Sequence, residues 1–420
     1  YKRQGMVDTL MLSSVSDQAV GAVGTANTYI GVFIIMFGVI SSGMVAVMSQ
    51  NIGAGRPGIA YQARQLGLAF NAVLGVIMSL FLSLGAGTIL SGVGVADALM
   101  QPAKTYLQIV GGFCILNALI PICSSYLRAF GFSKEPLYAS IIGNVINFCL
   151  NAFFLFVLHK GVAGVATATV ISRIINLVIV VLLGAVLVKA KQHPERESNR
   201  AVMGQIIRIG LPSACETAIY NVSMTLVIRF LNQMDAQGLN VTARSYTMQI
   251  TNFSYCVGAA LAQANAIMTG WHIGAKEYDA CDRGTKKAAV IGVIVAVILE
   301  TVFTLCSGWI MQLFSKDPQM VSLVGKLLAI DIVLEIGRVT NLVYGQALKT
   351  SGDAVFPVVM GACFMILCSV GGTYLFGIRL GLLAVGAYIG MTGDECVRAV
   401  GMYLRWKSGK WKEKGLVKSR

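Results

Sequence analysis

Gln50-Asn51-Ile52-Gly53-Ala54-Gly55-Arg56 closes a long uncharged run and turns the chain back on itself. The same turn returns as Trp271-His272-Ile273-Gly274-Ala275-Lys276, with Ile52, Gly53 and Ala54 reappearing 221 positions on at Ile273, Gly274 and Ala275. Further along, Leu127, Arg128, Gly131 and Pro136 meet Leu348, Lys349, Gly352 and Pro357 at the same offset. A chain with 46 Gly produces one such turn by composition, but hardly two in one register. Two turns recurring without a gap across half the chain mark the duplication of one large unit.

The solvent of that unit follows from composition. The 420 residues are 56% hydrophobic and 12% charged, with a mean hydropathy of +0.72, a balance that water cannot solvate in a domain of this size. The chain therefore reads as a polytopic membrane protein. A net charge of +14 would suggest nucleic acid in a soluble chain; in a membrane the position of each charge matters more than the sum, and no nucleic-acid partner is expected. The ten cysteines lie mostly within apolar runs, without CxxC pairs or metal-ligand spacing, and read as small buried residues. His159, His193 and His272 fall at helix ends or in a linker and suggest no metal site.

A bilayer-spanning helix takes about 20 apolar residues, so charged and Pro/Gly-rich turns divide the chain into segments. Twelve result: a first ending near Ser14, then 18–50, 58–90, 102–128, 136–158 and 161–188, followed by 209–233, 241–271, 284–313, 319–349, 354–377 and 380–404. The expected fold class is an all-α polytopic membrane protein, with twelve transmembrane helices as two six-helix bundles in parallel pseudo-twofold repeat. The expected domains are an N-terminal lobe 1–188, a cytoplasmic linker 189–208, a C-terminal lobe 209–404 and a basic cytoplasmic tail 405–420. Counting back 221 from a seventh helix opening near Gln205 puts the matching residue before Tyr1, so the first helix is expected to be truncated at its N-terminus. Tyr1-Lys2-Arg3-Gln4 is what the end of a common sequencing-library transposon encodes, and is left out of the fold reasoning.

Charge supports the division. Lys and Arg crowd the linker, the tail and the loops around Arg56, Arg128, Lys276, Lys286 and Lys349, whereas the opposite loops carry only Lys104, Lys160, Arg244, Lys316, Lys326 and Arg379. That bias predicts both termini in the cytoplasm. Pro57, Pro102, Pro136, Pro318 and Pro357 stand where helices are expected to begin, and Pro121 and Pro212 where one would kink.

Ionisable groups near the bilayer centre cost about 2.5 kcal/mol or more each, so each needs a partner, a cavity or a task. In the first half the acid is Asp8. The fifth helix adds Asn144, Asn147 and Asn151 on one stripe, and the sixth Thr169, Ser172 and Asn176 beside Arg173. These form either a chamber for a proton or a small hard cation such as sodium, or a hydrogen-bond network that only holds helices together. In the second half Asp331, Glu335 and Arg338 share one face of the tenth helix; Asp394, Glu395 and Arg398 crowd the twelfth; Glu216, Arg229 and Glu300 stand singly. Glu335 with Arg338 and Glu395 with Arg398 read as internal pairs. Glu216 is the favoured cation candidate, because Arg229 lies more than three turns away on its helix; the alternative is a carboxyl held protonated by desolvation. Tyr29, Phe33 and Met36 on the second helix, and Ser245, Gln249, Asn252 and Cys256 on the eighth, form stripes suited either to a substrate cavity or to ordinary packing.

Taken together, Val7-Asp8-Thr9, the turn Gly53-Ala54-Gly55, Leu127-Arg128-Ala129-Phe130-Gly131, the run from Gly161 to Ala168 and Leu348-Lys349-Thr350-Ser351-Gly352-Asp353 resemble the bacterial branch of the multidrug and toxic compound extrusion (MATE) transporters, from Val7 through the twelfth helix. The resemblance implies two six-helix bundles facing each other in a V and cation-driven export of lipophilic, often cationic compounds by alternating access. It implies a first-lobe cation site on Asp8, Asn147, Asn151 and Thr169. Asn151 stands where many bacterial members carry Asp, which leaves Asp8 the sole acid of that chamber. Glu216 lies nearer its helix start than the seventh-helix acid of other branches.

The expected function is a secondary antiporter of the bacterial plasma membrane that exports small lipophilic or cationic compounds in exchange for sodium or protons. It would need no cofactor, bind no metal beyond a possible sodium ion at Asp8, and work as a monomer in the lipid bilayer. The alternative is a flippase of the same superfamily for a lipid-linked sugar or another amphiphile. An intramembrane enzyme would need a nucleophile and base or a metal dyad, and neither constellation is present in the sequence.

Overall fold

The computed structural model describes residues 11–12, 16–92, 95–189, 193–235, 238–312, 314–315 and 317–417. Asp8 lies outside the described residues, and of the first expected segment only Met11, Leu12 and Ser16 onward fall within them. Every regular element among those residues is helical. In the first half these are α1 (Asp17–Gly53), α2 (Pro57–Leu84), α3 (Ala86–Gly92), α4 (Asp97–Tyr106), α5 (Ile115–Ala129), α6 (Lys134–Ala152) and α7 (Gly161–Leu187). In the second they are α8 (Asn199–Met234), α9 (Leu239–Gly274), α10 (Tyr278–Leu305), α11 (Ser307–Gln312), α12 (Pro318–Ser351), α13 (Val355–Phe364) and α14 (Leu383–Lys407). Together they fit a twelve-helix bundle fold.

The offset read from two turns governs the whole backbone. α2 and α10 begin 221 residues apart, at Pro57 and Tyr278, and end 221 apart, at Leu84 and Leu305. α1 and α9 stop at Gly53 and Gly274, and α4 and α12 open at Asp97 and Pro318. The left-handed residues match as well: Gly55 at φ 70° with Lys276 at 63°, and Gly131 at 88° with Gly352 at 99°. Even the π-helical turns that end the fifth helix recur, at Phe153–Val157 and Thr373–Arg379. One departure is informative. In the first half the chain bends by 43° between Asp97–Gly111 and Ile115–Ala129, where Gly111 and Gly112 weaken the helix, whereas α12 runs unbroken through Ile332 and Val333.

Two compact units form. One is Tyr1–Met48 with Arg56–Gly210, the other Ser49–Gly55 with Leu211–Arg420. In the first, Phe37, Leu82, Tyr106, Leu107 and Val165 lie in one buried cluster. The helix expected from residue 209 opens ten residues earlier, at Asn199, inside the stretch read as linker. The reason is an apolar stripe, Val202, Ile206 and Ile209, buried in this unit. The α1 and α8 backbones touch there, because a Cβ at Gly43 would stand 2.0 Å from the Ile206 carbonyl oxygen and one at Gly210 1.9 Å from that of Val39. Pro102, expected at a helix start, lies inside α4.

In the second unit the two founding turns meet. A Cβ at Gly53 would stand 2.0 Å from the Trp271 carbonyl oxygen, one at Gly274 1.9 Å from that of Gln50, and one at Gly270 1.9 Å from Ser49 Oγ. The partners exchange under the 221 shift, so this contact is self-complementary, as at a two-fold axis. Five helical spans, including α2, α7 and α10, are long and apolar enough to cross a bilayer, and two bent pairs bring the number to seven. α8, α9, α12 and α14 are not among them; α12 and α14 carry most of the buried charge. The surfaces left bare are apolar, with Leu84 and its counterpart Leu305 exposed by 82% and 80%, as lipid contact requires.

Candidate functional site

The unbroken α12 carries Asp331, Glu335 and Arg338 on one face, and packing brings to it Glu300 from α10 and Asp394, Glu395 and Arg398 from α14. Arg338 Nη1 donates to Glu335 Oε1, and its Nε lies 3.6 Å from Glu395 Oε1. Arg398 bridges Glu395 Oε1 at 3.0 Å and Asp394 Oδ1 at 2.8 Å. Neutral donors complete that end, Ser369 Oγ to Asp394 Oδ2 at 2.9 Å and Asn341 Nδ2 to Glu395 Oε2 at 3.0 Å. Both pairs expected within helices, Glu335 with Arg338 and Glu395 with Arg398, are thus formed and are joined into one network.

At the other end the compensation stops. Glu300, Asp331 and Glu335 are 0%, 2% and 0% exposed, and ligand oxygens from the three lie within 4.8 Å of one another. Neither oxygen of Glu300 has a hydrogen-bond donor among the described residues, nor has Asp331 Oδ2 or Glu335 Oε2. The Ser254 hydroxyl of α9 stands beside Glu300 without closing a hydrogen bond. Five carboxylates against the guanidiniums of Arg338 and Arg398 leave a surplus of negative charge in a dry interior, which is affordable only when protons or a cation join it. Three carboxylates converging on one point are chemically a site for a hard cation or for exchanging protons.

The duplicated fold does not duplicate this chemistry. At the positions 221 residues earlier stand Ser79, Val110 and Cys114 in place of Glu300, Asp331 and Glu335, and Asn117 in place of Arg338. Ser79 Oγ there accepts from the Ile115 amide at 3.1 Å. Sequence reading placed Asp331, Glu335 and Arg338 correctly on one face but left Glu300 a solitary acid, because its partners come from another helix.

In the first unit Asn147, Asn151, Thr169 and Ser172 are all buried. Asn151 Nδ2 donates to Asn147 Oδ1 at 3.3 Å, Thr169 Oγ1 to the Val165 carbonyl at 2.9 Å and Ser172 Oγ to that of Thr169 at 2.9 Å. Asn144, expected on the same stripe, is exposed. Asn117 was missed: it is buried, and neither end of its amide is hydrogen-bonded among the described residues.

Glu216 requires correction. Lys349 Nζ lies 2.5 Å from its Oε2, so the carboxylate favoured for standing unpaired is neutralised by a lysine 133 residues away in sequence. Only Arg229, on the same helix, was weighed as its partner; the true one comes from the last turn of α12. Among the cavity candidates Tyr29 and Phe33 are half-buried, Phe33 edge-on to Phe81 at 5.9 Å, and Met36 is exposed. Gln249 is exposed and Asn252 half-buried on α9.

Comparison with known proteins decides the lineage. The sequence signature of the family MatE matches residues 4–153 and 212–375, one stretch in each half. The chain belongs to the MATE family. Among bacterial relatives, an uncharacterized transporter, YisQ, of Bacillus subtilis is 33% identical, over 99% of this chain and 92% of its own. A probable multidrug resistance protein, NorM, of Thermotoga maritima is 22% identical over 98% and 90%. The fold matches a crystal structure of a MATE protein in a bent conformation, with TM-score 0.89 and 18% identity over 98% of this chain and 92% of that one. It also matches a transporter from Pyrococcus furiosus described as having a binding pocket of reverse polarity, with TM-score 0.83 and 18% identity. MATE proteins are multidrug efflux transporters of the membrane, not enzymes, and work from ion gradients without a cofactor.

Proposed function

We propose that this MATE protein is an antiporter that exports small lipophilic, often cationic compounds in exchange for sodium ions or protons, and that the exchange takes place at Glu300, Asp331 and Glu335. The observation that carries this reading is the buried Glu300 carboxylate, without a donor on either oxygen and facing two further acids. A charge group so placed is unstable alone and stable with a cation or proton, so its occupancy is linked to the ion gradient. Asp8 with Asn147, Asn151 and Thr169 in the first half is the second place where a cation is exchanged, competing with the exported compound for one lobe.

Export then follows from linkage. Cation and compound drive each other only because each binds two states of the transporter with different affinity; cation taken from outside favours the outward-open state and release of the compound. The direct measurement is efflux of a cationic dye from vesicles with the sodium and proton gradients collapsed separately. Wild-type protein is expected to stop when one of the two is removed. Glu300→Gln keeps shape and removes charge, and is expected to abolish gradient-driven efflux while the protein still inserts and folds. Gradient-driven efflux at the parent rate in that variant would sink the assignment.

A further inference from the structure

The segment that follows α14 does not trail into solvent. Gly409, at φ 72°, reverses the chain, and Trp411 stacks flat on Trp406 with ring centroids 4.1 Å apart and planes within 9°. Both indoles are buried, and both N–H groups are satisfied: Trp411 Nε1 donates to the Trp406 carbonyl at 2.9 Å, and Trp406 Nε1 to Asp282 Oδ1 at 2.8 Å. Beyond them Lys414 Nζ reaches Asp353 Oδ1 at 2.7 Å, while Arg405 Nε holds Oδ2 of the same buried carboxylate at 2.7 Å. The Lys414 carbonyl passes so close to Gly352 that a Cβ there would stand 2.2 Å from it. Lys407, Lys410 and Lys412 remain on the outer face, exposed.

This fold-back ends on α1. The Leu416 amide donates to Gln50 Oε1 at 2.8 Å, and Gln50 Nε2 donates to the Thr350 carbonyl at 2.6 Å, with the glutamine fully buried. Gln50 belongs to the turn whose glycine contacts join the two sequence repeats. Its side chain therefore links three turns otherwise distant in sequence: 49–55, 350–353 and 414–416.

We propose that Arg405–Leu416 is a releasable strap that holds the α1 turn Ser49–Gly55 in place and limits how often that turn moves during the transport cycle. Three features favour a device over mere packing. The strap closes on polar and ionic contacts as well as the tryptophan pair, and such contacts remake readily in water. Its target is a backbone turn, held through one side chain that both donates and accepts. The turn it holds is also the place where repeat-related glycines bring backbones into contact, so little slack remains once the strap is closed.

Hydrogen exchange of the full-length protein in detergent, read on peptides covering 49–55 and 409–416, tests this together with dye efflux. In Trp411→Ala/Lys414→Ala the strap is released, and in Gln50→Ala only its hold on α1 is cut. A lost buried hydrogen bond is worth about tenfold in an opening equilibrium. Both variants are therefore expected to exchange about tenfold faster at 49–55 and to turn over faster in efflux. Only the first is expected to exchange faster at 409–416. Parent-like exchange at 49–55 in both variants, or faster exchange with efflux unchanged or slower, would overturn the strap. Because the exchange readout needs no gradient, it stands whether or not the coupling site above is correct.

Discussion

Glu300 has no charge of opposite sign within its own helix turn, and its environment is made wholly by α9 and α12. Arg338 has the reverse role: it is the only guanidinium beside Glu335, and it also reaches Glu395. Removing each gives opposite outcomes. Arg338→Met leaves two buried carboxylates short of a partner and is expected to cost about 3–5 kcal/mol, visible as a lower thermal unfolding midpoint in detergent. Glu300→Gln takes one surplus charge away and is expected to leave that midpoint unchanged or raised. Asp353 supplies a pH test outside the bilayer spans. Burial alone would push its carboxyl up, but hydrogen bonds from Arg405 and Lys414 and their charges outweigh burial and hold it below its ordinary value of 3.8. A lowered folded value stabilises the ionised form, so the strap's anchoring is fully present above pH about 4 and is lost as pH falls through the lowered value. Exchange at 409–416 is expected to accelerate below pH about 4 and to be flat between 5 and 8. A residue-by-residue reading of sequence reached Asp331, Glu335 and Arg338 because their spacing is helical. It missed Lys349 as the partner of Glu216 because that contact joins two helices.

At the scale of the helices, a single 221-residue shift relates almost every start, stop and left-handed turn, and the turns are the reason. Each helix must end where its orphan carbonyls find partners, so a repeated turn sequence imposes a repeated helix length. The self-complementary contact of α1 with α9 makes a paired prediction. Gly53→Ala and Gly274→Ala each drive a methyl into a carbonyl oxygen of the opposite turn at about the same distance. Both are expected to destabilise by similar amounts, about 1–3 kcal/mol, measured as the shift in unfolding midpoint. A cost at one position alone would show that the contact is not self-complementary. Sequence spacing also foresaw the twelve segments within a few residues. It did not foresee that α8 begins at Asn199, because a polar, charged stretch with three well-spaced apolar residues looks like a linker until another helix covers the stripe.

For the molecule as a whole, one fold is used twice but its chemistry once. The first unit brings together neutral amides and hydroxyls, Asn147, Asn151, Thr169 and Ser172, where the second gathers acids. Restoring an acid tests whether the neutral set takes part in exchange. Asn151→Asp is expected to steepen the dependence of dye efflux on the sodium or proton gradient, and Asp8→Asn to weaken it. An unchanged dependence in both would mean that these residues only hold helices together.

Membrane solvent, duplication, helix number and family were determined by the sequence alone, because hydropathy, turn residues and repeat spacing are local or strictly periodic properties that survive without knowledge of contacts. The tertiary structure alone decided which charges are compensated. Whether Glu300 stands unpaired, Glu216 meets Lys349 or Gln50 receives Leu416 depends on which helix faces which, and residues more than 60 positions apart carry no mark of that in their order. Electrostatic energy in a dry interior is set by distances of a few ångströms between such residues, so the site becomes visible only when the helices are packed.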